Sequence, residues 1–128
     1  MPKRTVKTER APQAIGPYSQ AVIANGFVFV SGQIPLDPAT GQLVSGDIQQ
    51  QARRCLENLR AILEASGTTM GNLVKVTVFA KDLKDFQAIN QVYSEYCKEN
   101  PPARSFVEVS RLPRDAAIEI EGIALLEA

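Results

Sequence analysis

Hydrophobic positions along this chain follow two periodicities, and their alternation sets out the fold. Ile48, Ala52, Cys55, Leu56, Leu59, Ile62 and Leu63 recur every three or four residues and make one stripe of an amphipathic helix. Asp47 stands where an N-cap belongs and Gly67 where a helix stops, so the spacing predicts a helix from Asp47 to Ser66. Phe86, Ile89, Tyr93 and Tyr96, with Val92 and Cys97 beside them, predict a second helix. Asp82 with Asp85 opens it in the manner of an acidic capping box, and Pro101-Pro102 ends it. Elsewhere the chain reads as extended. Ser19 to Ala24 and Phe27 to Ser31 are strands joined at Asn25-Gly26, because a type I′ turn needs positive φ at both central residues. Leu73 to Ala80 is rich in β-branched residues; Thr5 to Thr8, Arg104 to Val109 and Ile118 to Leu126 complete the strands. Residues 32–46, with Pro35, Pro38, Gly41 and Gly46, read as loop.

The order β-β-β-α-β-α-β-β describes one domain over residues 1–128, an α+β two-layer fold with both helices on one face of a mixed sheet. Helices crossing between strands argue for parallel pairings in the middle, and the hairpin argues for an antiparallel one at the start. On the first helix Arg53, Glu57, Arg60 and Glu64 alternate in sign at three- and four-residue steps, the pattern of a solvated face.

Strand alternation then divides the sheet. Val28 and Val30 point one way, and Phe27, Phe29 and Ser31 the other. Val107 and Val109 oppose Arg104, Phe106 and Glu108, while Ile118 and Ile120 oppose Glu119 and Glu121. The aliphatic face suits the helices. The other face mixes aromatics with charge, and no third helix remains to cover it, so a second copy of the chain is expected there. Arg104, Glu119, Glu121 and Ser31 on that face form the candidate site. Each also has a structural reading, as an interface ion pair, the polar side of a strand or a strand end. Tyr18, after Gly16-Pro17, reads as a packed aromatic closing a turn.

Composition narrows the chemistry. The chain has 14 basic and 14 acidic residues and no histidine. Zero net charge argues against a protein that grips nucleic-acid phosphates. Without histidine there is no Ser-His-Asp triad, no Cys-His pair, no His-ligated zinc and no imidazole base. Catalysis would have to run on carboxylates, Arg, Lys, Tyr, Ser, Thr, Cys or the backbone. Cys55 and Cys97 form no CxxC pattern and read as packed, reduced thiols of a cytoplasmic protein. No apolar run approaches the ~20 residues that cross a bilayer, and the basic N-terminus lacks an apolar signal core.

Three segments carry a family resemblance: IGPYSQA at 15–21, SGQIP at 31–35 and PARSFVEVSRLPRDAAIEIEGIA at 102–124, with VKVTVFAKDLKDF at 74–86 in the same register. Together they resemble the Rid family of reactive intermediate deaminases, also called the YjgF family. The resemblance implies a chorismate-mutase-like fold, a homotrimer packed through its sheets with clefts between subunits, and no cofactor or metal. The implied activity is hydrolysis of 2-imino acids such as 2-iminobutanoate and 2-iminopropanoate to 2-keto acids and ammonia. Residue by residue, Arg104 resembles the arginine that holds the substrate carboxylate and Glu119 the carboxylate that handles water. Tyr18, Ser31 and Gly32 resemble cleft-lining residues, and Asn90 matches a position on the second helix. The family usually has a small residue, often Cys, where this chain has Phe106, so that ring is expected to project into the cleft and favour short substrates. Two other functions attach to the same resemblance. One is a non-catalytic trimer that binds a small carboxylate for regulation; the other is RNA cleavage or inhibition of translation.

Overall fold

In a computed structural model, which describes residues 2–126, the first helix forms where the apolar stripe lies. α1 spans Ile48–Ser66. The Asp47 carboxylate accepts from the Gln50 backbone N–H at 2.9 Å, and the Gln50 side chain accepts from the Asp47 N–H at 3.1 Å. This reciprocal box satisfies two donors that a helix start leaves orphaned. α2 spans Phe86–Cys97. Its entry differs from the expected acidic box: Asp82 caps a single 3-10 turn, Leu83–Asp85, and the Asp85 side chain makes no capping bond.

The strands are β1 (Arg4–Val6), β2 (Ala21–Ala24), β3 (Phe27–Gln33), β4 (Leu73–Ala80), β5 (Ala103–Glu108) and β6 (Ile118–Leu125). They form one mixed sheet in the order β1-β2-β3-β6-β4-β5. Two helices against this sheet give the α+β two-layer arrangement that the element order implied and the chorismate-mutase-like fold that the resemblance implied. The pairing is less parallel than expected. Only β4 and β5 run parallel, at the edge. β6 returns from the far end of the chain to lie between β3 and β4, antiparallel to both. Its helix-facing residues, Ile118, Ile120, Gly122 and Ala124, are all buried, as a central strand requires.

The core lies between this face and α1. Leu56, Leu59, Ile62 and Leu63 pack toward Val28, Val76, Val78, Ile118 and Ile120, with Ile89, Val92 and Tyr93 of α2 closing the layer. Burial of each large aliphatic side chain contributes about 1.5–3 kcal/mol, whereas exposed ion pairs contribute under about 1 kcal/mol each. Apolar packing therefore dominates. The charged stripe of α1 is exposed, as its alternation implied, and it also pairs with α2. Arg53 forks onto Glu95 of α2 at 2.8 and 3.2 Å. Glu57 accepts from Tyr96 at 2.6 Å and from Arg60 at 2.7 Å.

Two irregularities position the functional groups. Between the pairs Val30↔Gly122 and Gln33↔Ile120, β3 carries two residues, Ser31 and Gly32, opposite the single Glu121. This bulge shifts the alternation, so Val30 and Gln33 are both buried. The second irregularity is a reversal of face on β5. Arg104 pairs with Val76 and Phe106 with Val78, and those valines belong to the core. Arg104 and Phe106 therefore point toward the helices, whereas Glu119 lies beside Phe79 on the opposite face. The expectation that Arg104 shares a face with Ser31, Glu119 and Glu121 is overturned. Val107 is 39% exposed, since β5 is an edge strand and the aromatic side of α2 takes Phe106 in its place.

The helix-free face is open as expected. Phe29 is 43% exposed there, and Phe27 tilts against it with ring centroids 6.2 Å apart. Among the described residues no helix is long and apolar enough to cross a membrane.

Candidate active site

Glu119 enters the site near the start of β6, and the β3 bulge brings Gly32 against it. A Cβ built on Gly32 would lie 2.7 Å from the Glu119 Cδ, too close for any real side chain. Glycine here leaves the space that the present position of the Glu119 head occupies. The Glu119 carboxyl is half-buried and held above the usual carboxylate range, first by burial and then by the nearby charge of Glu121. Among the described residues no hydrogen bond offsets that burial. Glu119, Gly32 and Tyr18 line one pocket of about 300 Å3, with Ile34, Leu36 and Pro113 among its apolar walls.

Tyr18 is not the packed aromatic its turn suggested; it is 54% exposed. Its hydroxyl accepts from the Ile15 N–H at 3.4 Å. Ser31 lies next to the pocket without lining it. Its hydroxyl donates to the Ser19 carbonyl at 2.6 Å and its N–H to the Gln20 carbonyl at 2.9 Å, which fastens the Tyr18 loop to the bulge.

Arg104 belongs to a second, more open concavity on the helix side, shared with Asn90, Tyr93, Cys97 and Pro102. Its Nη1 donates to the Asn90 Oδ1 at 2.8 Å. Three rings surround the guanidinium, with centroids at 4.7 Å (Tyr93), 5.4 Å (Phe106) and 5.7 Å (Phe86). Such stacking fixes the plane of the fork while leaving its outer N–H groups free. Phe106 does not line this concavity. Its ring packs against Phe86 at 4.7 Å and supports Arg104 from behind. Burial raises the Tyr93 phenol and the Cys97 thiol above their ordinary pKa values. The Tyr93 hydroxyl has no hydrogen-bond partner of acceptable geometry, although the Cys97 thiol lies near it.

The structure thus brings Tyr18, Gly32 and Glu119 together, and separately Asn90 and Arg104, but it does not join the two groups within one chain. Two further residues emerge. Gln20, buried, accepts from the Thr8 N–H at 2.7 Å and donates to the Pro12 carbonyl at 2.7 Å, setting the path of the loop that carries Tyr18. Asn58, fully buried on α1, donates to the Leu36 carbonyl at 2.9 Å and accepts from Arg54 at 3.0 Å. Asn58 sits three residues after Cys55 and four before Ile62. That spacing places an amide on the core stripe and was the signal available in the sequence. Among the described residues no group of three or more Cys, Asp or Glu side chains is placed to hold a metal ion.

The chain is thus a two-layer α+β domain with one pocket at a strand bulge and a stacked arginine in a second concavity. The family profile described as Endoribonuclease L-PSP matches residues 8–126, and the chain belongs to that family. It is 56% identical to a RutC family protein of Pyrococcus abyssi, covering 99% of this chain and 100% of that one. It is 53% identical to the 2-iminobutanoate/2-iminopropanoate deaminase of Salmonella typhimurium, covering 95% and 97%. Among solved structures it resembles E. coli TdcF with bound serine at a TM-score of 0.90 and 49% identity, covering 95% and 98%. Of these three names, that of the Salmonella protein states an activity.

Proposed function

We propose that this protein hydrolyses 2-imino acids to 2-keto acids and ammonia, in clefts where Arg104 of one protomer meets Glu119 of its neighbour in a homotrimer. The observation that carries the reading is the Glu119 carboxyl, half-buried, without a hydrogen bond and raised in pKa beside Gly32. A carboxyl held above its ordinary range by burial is a stronger proton acceptor than a free one. The open sheet face, with Phe29 exposed, supports assembly through the sheets. The deaminase name of a relative 53% identical supports the reaction class.

The chemistry follows from the groups present. Arg104 forks onto the substrate carboxylate and fixes the plane of the adjoining C=N bond. A protonated imine is already electrophilic, so orientation and one mobile proton suffice. Glu119 takes a proton from water as the water oxygen bonds to C2, giving a carbinolamine. It returns that proton to the amino nitrogen; the C–N bond then breaks and ammonia leaves. The hydroxyl proton passes back to Glu119, and from there to ammonia as ammonium. Zero net charge and the absence of histidine do not favour RNA cleavage by the same groups.

The test is to generate 2-iminopropanoate or 2-iminobutanoate in situ with an amino-acid oxidase and to follow keto-acid formation. Acceleration above the spontaneous rate is expected. A rate equal to the spontaneous one, with the small carboxylate still bound, would favour the regulatory reading instead.

A further inference from the structure

The pocket beside Glu119 is larger and more apolar than the shortest imino acids require. Its volume of about 300 Å3 is the liquid share of roughly ten water molecules. A substrate whose side chain has one or two carbons would leave much of that space wet against hydrocarbon. The pocket's apolar lining includes Ile34 and Leu36, both half-buried, and Pro113. Ile15, 82% exposed, adds a further apolar side chain to the lining.

The wall is also fixed in place. The buried Asn58 amide donates to the Leu36 carbonyl at 2.9 Å, and Arg54 holds the amide from its other side. Leu36 further forms an isolated antiparallel bridge with Leu43. The cavity is therefore built before any ligand arrives, so binding need not order its walls.

We propose that this pocket is a side-chain subsite selecting 2-imino acids with bulky apolar side chains, branched aliphatic or benzyl, over the methyl and ethyl members. The inference rests on the reaction proposed above and assigns its substrate class. The imine carbon sits at Glu119, and the side chain extends past Gly32 onto Ile34, Leu36 and Pro113. Phe106 does not oppose this, because its ring packs against Phe86 and lines neither concavity. Each additional methylene in such a pocket changes discrimination by about ten- to two-hundred-fold.

Two measurements on the full-length assembly test it. The first is kcat/KM for imines formed in situ from leucine, phenylalanine and alanine. The leucine and phenylalanine products should be preferred by about tenfold or more, and Leu36→Phe should reduce that ratio by a similar factor. The second uses stable keto acids, which need no turnover. Calorimetry should show 4-methyl-2-oxopentanoate binding about tenfold or more tighter than pyruvate. Equal affinities, or no binding of the larger keto acid, overturn the subsite. Retained discrimination among keto acids without any imine hydrolysis keeps the subsite and overturns the proposed reaction instead.

Discussion

Gly32 and Glu119 are in direct contact across the bulge of β3. The α-carbon of the one faces the carboxylate of the other with no room for a methyl group between them. A Gly32→Ala variant must displace the Glu119 head, since β3 and β6 are hydrogen-bonded on either side. A displacement near 1 Å costs about a hundredfold in rate where geometry is catalytic. Imine hydrolysis should fall by that order while circular dichroism and assembly stay unchanged. Full activity in this variant would remove Glu119 from the reaction.

Glu119→Gln should abolish turnover and stabilise the protein at neutral pH. The sign follows from the raised pKa: the folded state prefers the neutral carboxyl, so ionisation costs stability. That cost is absent below the unfolded carboxyl pKa and grows as pH rises through the folded one. Thermal melts of the variant should therefore exceed the parent at pH 7 and coincide with it well below pH 4. Glu121→Gln, further along the strand, should be milder in rate; the reverse order would mean that the wrong glutamate carries the proton.

Arg104→Lys keeps the charge and loses the fork, a contact worth about 1.5–3 kcal/mol, so kcat/KM should fall by roughly ten- to a hundredfold or more. Phe106→Cys is a different case. The ring supports Arg104 from behind and lines neither cavity, so the variant should lower kcat/KM for short and long substrates by similar factors. A selective gain with bulky substrates would make Phe106 a pocket wall after all.

Much of this was legible in the sequence, and the failures share a cause. The helix at Ile48–Ser66, with its Asp47 cap, and the turn at Asn25-Gly26 are local features, written in consecutive residues. The position of β6 between β3 and β4 is non-local, and no local pattern encodes it. Alternation in β5 was phased on Val107 and Val109. An edge strand beside the rings of α2 instead buries the stem of Arg104 and the ring of Phe106. Both candidate residues, Arg104 and Glu119, were visible by motif. Their separation onto opposite faces was visible only in the pairing register.

That separation makes the central claim directly measurable. If each cleft takes Arg104 from one protomer and Glu119 from the next, Arg104→Lys and Glu119→Gln trimers each fall tenfold or more below the parent but are complementary. Unfolded together and refolded, they form mixed trimers in which some interfaces draw both intact residues from different chains. Random mixing in a three-fold ring restores about a quarter of the parental sites. Light scattering should give three times 13.9 kDa for the mixture, and imine hydrolysis should return to about a quarter of the parental rate. A mixture that assembles as a trimer and stays as slow as its components would contradict the shared cleft.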